Sequence, residues 1–169
     1  LTALAQLLAG GRLTAAGAQG IAPNAVIKGA DEPVTSSTTL QNDDALLLGL
    51  GSNTQWFFAA MINYTGDTTG SGGIKFTFTT PAGSTLTWSQ LYMPSSVSAP
   101  DLSGSGTGSG QARSAVTGGT TTQVPIWVLG SVIMGSTAGN LQLQWAQNAS
   151  DAVATTVKAG SFLAAWQVA

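Results

Sequence analysis

The sequence contains no histidine and no cysteine, and its 169 residues include only five Lys and Arg and seven Asp and Glu. Those side chains carry most biological proton transfer, metal ligation and phosphate binding, so their scarcity closes most routes to catalysis. Without Cys, disulfide staples and zinc ribbons are excluded, although the compartment stays open, because proteins of any compartment can do without it. The basic residues Arg12, Lys28, Lys75, Arg113 and Lys158 are scattered singly, and the net charge is -2. That distribution gives no electrostatic footing for a nucleic acid and no basic amphipathic helix for a membrane surface. No apolar run approaches the roughly 20 residues of a membrane-spanning helix. The apolar opening, Leu1 to Ala9, has no basic stretch before it and is not expected to act as a secretory signal.

What is present is apolar and neutral-polar. Hydrophobic residues make up 43% of the chain, an ordinary share, whereas charged residues at 7% fall far below the usual quarter. The surface must therefore be built of Ser, Thr, Asn, Gln and Gly. Such a surface has little charge to keep copies apart, which suits a many-copy assembly. The length fits one domain with a core of its own.

Two regions are expected. Residues 1–33 read as an arm: LTALAQLLA places Leu1, Leu4, Leu7 and Leu8 at helical spacing, Gly10-Gly11 stops it, and the stretch to Pro33 is rich in Gly with no sustained period. A nine-residue helix is marginal alone in water, so the arm should order on a neighbour. Residues 34–169 read as β. Strands are expected at Thr35–Leu40, Ala45–Leu50, Thr54–Tyr64, Ile74–Thr79, Thr85–Met93, Ala112–Thr117, Gln123–Met134, Leu141–Gln147, Thr155–Lys158 and Phe162–Val168. Asn42-Asp43-Asp44 reads as a turn between two of them, and Pro125 as an edge strand, a bulge or a strand start. The tract Pro94 to Gly110, with DLSGSGTGSG at its centre, is expected to be a mobile surface loop. Eight to ten short strands without helical pattern between them predict an all-β, jelly-roll-like antiparallel β-sandwich, with an immunoglobulin-like sandwich as the alternative.

Candidate sites are few. Asp31-Glu32 and Asp43-Asp44 are the acidic clusters, and neither has the spacing of a calcium loop, so a solvated arm and a turn cap are the expectations, with no metal and no cofactor. The Gly/Ser tract lacks the phosphate-loop pattern, and no His is available to activate a Ser or Thr. Of the five Trp, positions 56, 145 and 166 are expected in the core, while Trp88 and Trp127 are kept as candidate surface contacts for a glycan.

The stretches RLTAAGAQGIAPNAVIKGADEPVTSSTTLQNDDALLLGL, GGIKFTFTTPAGSTLTW and NLQLQWAQNASDAVATTVKAGSFLAAWQVA together resemble a β-rich domain of virion structural proteins from tailed bacteriophages and prophages of actinobacteria. The domain recurs there in minor tail, fibre and head decoration proteins. The resemblance runs from Arg12 onward, with TLQNDD, TTPAGSTLTW and LQWAQN its most specific stretches, and leaves LTALAQLLAGG and DLSGSGTGSG outside. It implies a structural role on the virion exterior and no enzymatic one. The function expected is a capsid decoration protein, assembled as a homotrimer and attached to the major capsid protein or other virion proteins through Leu1, Leu4, Leu7, Leu8, Arg12 and Ile21. The alternative is a minor tail or tail-fibre adhesin that binds a host glycan through Trp88 and Trp127. An enzyme ranks third and would require a concave cluster drawn from the few acidic and basic residues.

Overall fold

Among the described residues, the first and last strands pair with each other, and the pairs inside them are nested in the same way. A computed structural model describes residues 22–67, 73–92, 105–107, 113–115 and 123–168. Among them are twelve strands and no helix: β1 Asn24–Ile27, β2 Glu32–Val34, β3 Gln41–Leu50, β4 Gln55–Thr65, β5 Ile74–Thr79, β6 Thr85–Tyr92, β7 Ser105–Thr107, β8 Arg113–Ala115, β9 Val124–Ile133, β10 Gly139–Gln147, β11 Thr155–Val157 and β12 Phe162–Gln167. β1 pairs with β12, β3 with β10, β4 with β9 and β5 with β8, all antiparallel. Folding this four-deep ribbon over itself puts β1-β12-β4-β9 in one sheet and β3-β10-β5-β8 in the other. That is the jelly-roll arrangement of an antiparallel β-sandwich. The larger sheet is extended by β6 and β7 beyond β9, and by β11 and β2 alongside the far end of β4.

Alternation along the strands fills the space between the sheets. Phe58, Ile62 and Tyr64 of β4, Leu86 and Trp88 of β6, and Ile126, Val128 and Val132 of β9 point inward from the large sheet. Leu46 and Leu48 of β3, Ile74, Phe76 and Phe78 of β5, and Leu141, Leu143 and Trp145 of β10 meet them from the small one. Each fully buried side chain of this kind contributes about 1.5–3 kcal/mol. The centre is aromatic: Trp88 lies 5.5 Å from Phe76 and 5.6 Å from Phe78, and Phe78 lies 5.2 Å from Phe58, ring centre to ring centre. Gly130 sits at the inward position of β9 opposite both Phe58 and Trp88. A Cβ there would come within 2.4 Å of the Phe58 ring, so the residue makes room for that ring.

Several sequence expectations are corrected. Within the arm expected over residues 1–33, Asn24–Ile27 and Glu32–Val34 are strands of the large sheet, because their backbone completes the ladders of β12 and β11. The helix expected over residues 1–9 lies outside the described residues. Thr35–Leu40 is not a strand. Ser36 adopts a left-handed φ of 50°, and hydroxyl and amide side chains take the backbone donors here: Ser37 N–H donates to Gln147 Oε1 and Thr39 N–H to Ser37 Oγ. Asn42-Asp43-Asp44 lies inside β3, not in a turn, at a bulge where the register with β10 shifts between Gln142 and Gln144. Ser105–Thr107, from the tract expected to be a loop, pairs with β6. In β12 the inward residues are Leu163 and Ala165, so Trp166 stands on the outer face against Phe57 rather than in the core. Pro125 is the second residue of β9, opposite Asn63 of β4 and just before β9 begins to pair with β6 at Ile126.

Candidate functional site

Several of the scarce charges converge. Lys28, at the end of β1, is 3% exposed, and its ammonium donates to Asp43 Oδ2 at 2.9 Å and to the Glu32 carboxylate. Asp43 is held by the bulge of β3, where its Oδ1 accepts the N–H groups of Ala45 and Leu46 at 2.9 and 2.8 Å. Glu32 in β2 also accepts from Gln41 Nε2 and the Asp44 N–H. On the adjoining turn, Asp31 pairs with the Lys158 ammonium and accepts the Ala159 N–H at 2.9 Å. Lys28, Asp31, Glu32 and Asp44 line a cleft of about 440 Å³ between the β1–β2 turn and the bulge. The sequence reading placed Asp31-Glu32 in a solvated arm and Asp43-Asp44 at a turn. What it could not see is that the bulge turns Asp43 inward to meet Lys28.

The chemistry of the cleft is that of a clasp. Burial works to lower the Lys28 pKa, but hydrogen bonds and charge from Glu32 and Asp43 outweigh it and hold the ammonium above its ordinary range. An amine held so firmly protonated is no base or nucleophile near neutral pH. The Asp31 carboxyl is held below its usual range by the Lys158 hydrogen bond first and the Ala159 N–H second. No hydroxyl-bearing side chain lines the cleft among the described residues, and none of their acidic side chains group in threes suited to a metal ion. The backbone is tied in as well: Lys28 N–H donates to Ser161 O and Gly160 N–H to Lys28 O, each at 2.8 Å.

The two candidate Trp separate. Trp88 is 1% exposed and belongs to the aromatic centre of the core, so it is withdrawn as a surface contact. The sign was in the sequence: Leu86 and Trp88 share one face of β6 while Thr85, Thr87 and Ser89 share the other. Trp127 is 45% exposed on the outer face of the large sheet, beside Leu129 at 54%, and with Ser89 and Leu91 it borders a shallow cleft of about 160 Å³. Its ring meets Phe162 edge-on at 6.2 Å. The attachment residues Leu1, Leu4, Leu7, Leu8, Arg12 and Ile21 lie outside the described residues.

The sequence matches no protein-family model, and no curated protein matches it.

Proposed function

We propose that the protein is a bacteriophage capsid decoration protein, a non-enzymatic component of the virion exterior that binds the major capsid lattice and assembles as a trimer. The observation that carries the reading is the way the segment before the sandwich is moored. β1 is paired to β12 from its first residue, Asn24, so the chain enters the sandwich at a fixed point. An arm that orders on the lattice would pass its binding energy directly to a rigid sandwich, and copies on neighbouring capsomers would gain avidity. The resemblance to actinobacterial phage virion domains and the near absence of charge support the same role. Removing residues 1–21 should leave a folded sandwich that no longer co-sediments with capsids. Stoichiometric binding by the shortened chain would overturn the assignment of attachment to the arm.

A second reading, a tail-fibre or minor-tail adhesin for a host glycan, is favoured by the exposed ring of Trp127 beside its shallow cleft. It predicts that Trp127→Ala abolishes binding to host cells while the melting temperature holds, and unaltered binding would dispose of it.

A further inference from the structure

The outer face of the large sheet is apolar across five strands. In register, Ile27, Phe162, Met61, Trp127 and Leu91 form one row, and Ala25, Ala164, Ala59 and Leu129 the next, ending at Ser89. A third row begins with Trp166 and Phe57 and ends in Ser131 and Thr87. Ile27, Phe57, Trp127, Leu129 and Ile133 are all exposed, between 43% and 72%. Strands that are apolar on both faces belong to sheets covered on both faces, and the small sheet covers only the inner one.

We infer that this face docks a second copy of the same chain. Two observations favour that occupant. First, none of the described residues in these rows is charged, so two such faces meet without like-charge repulsion and without burying an unpaired ion. Second, the size is right: five strands about 4.8 Å apart and three rows about 7 Å apart give two copies roughly 1,000 Å² of buried surface. That is about the area a specific interface needs. Ser89, Ser131 and Thr87 supply the uncharged polar margin that surrounds an apolar interface centre. Sheet would stack on sheet about 10 Å apart, as the two sheets already do within one copy.

The inference rests on the assembled-copies part of the proposed function: a face that meets its own copy is a two-fold contact, distinct from the threefold contact of a trimer, and solution assembly is measured separately from capsid binding. Sedimentation velocity of the full chain at micromolar concentration should show a dimer or a larger oligomer with an even number of copies. Leu129→Glu and Trp127→Glu, each placing a charge in the centre of the face, should weaken assembly by at least about tenfold. Val153→Glu, at an exposed apolar position outside the rows, should not. Unchanged melting curves show that the variants fold, and because both substituted residues are exposed, two independent variants guard against the loss of one. A monomeric wild-type chain, or assembly undiminished in both variants, would overturn the inference. So would a chain that is monomeric at full length and associates only after residues 1–21 are removed, since its own segment would then be the cover. An oligomer that does not bind capsids would leave the docking face standing and overturn the decoration reading.

Discussion

At the scale of single residues, the core depends on one missing side chain. Gly130 lets the Phe58 ring lie across β9, between strands whose next inward neighbour is Trp88. Gly130→Ala should therefore destabilise the fold by about 1–3 kcal/mol through overpacking, read as a lower midpoint in urea with little change in slope. A neutral result would mean that Phe58 has space to move aside. Trp88→Ala should cost more, about 3–5 kcal/mol, because a fully buried indole leaves a large cavity at the meeting of Phe76 and Phe78. Residue identity was legible where polar side chains alternated with apolar ones, as Lys75 and Thr77 do in β5 and Gln142 and Gln144 in β10. It failed in β12, where Phe162, Ala164 and Trp166 alternate with Leu163 and Ala165. Both sets are apolar there, and the larger rings turned out to face outward.

At the scale of elements, most strands bounded by turn residues were legible within a residue or two, because period-two patterning and Gly or Pro stops act locally; β3 was not, since it starts at Gln41, four residues before the expected Ala45. β1, β2 and β7 were not legible. They are three or four residues long, and their pairing depends on partners more than 15 residues away, which no local pattern records. The charged clasp was hidden for the same reason. Its three members come from the residue after β1, from β2 and from the bulge of β3. Its pH dependence follows from the Lys28 shift. The folded-state pKa lies above the unfolded value of about 10.4, so the stabilisation is complete below that pH and is lost as pH rises through the folded value. The melting temperature should hold through neutral pH and fall above about pH 10.4. Lys28→Met should cost about 3–5 kcal/mol at neutral pH by stranding Asp43, and should flatten that alkaline fall. An identical alkaline slope in the variant would show that other groups cause it. Asp31, shifted the opposite way, contributes stability above about pH 3.9 that is lost as pH falls through its lower folded value.

At the scale of the whole molecule, the all-β sandwich was legible from composition and strand spacing, whereas the nested order became visible only with the register. The sheet's apolar exterior was also written in the sequence, in QWFFAAMINY and PIWVLGSVI, where residues of both parities are apolar. Of those runs only Trp127 was expected at the surface, and the apolar residues that share its face were given no place. Because β1 pairs with β12, a contact spanning nearly the whole described chain must close before the large sheet is complete. Folding should accordingly fall in the millisecond-to-second range of non-local β topologies, measurable by stopped-flow Trp fluorescence, and microsecond folding would contradict it.

The partnership of Asn24 with Ala165 has a use in protein engineering. Cargo genetically fused before β1 or after β12 would emerge from the same edge of the sandwich, so either fusion would present it at one place. A short peptide could join those two points, and new ends could open in the loop between β10 and β11 around Ser150, where the chain is exposed. Such a circularly permuted jelly roll would keep every ladder and carry its payloads on a different side.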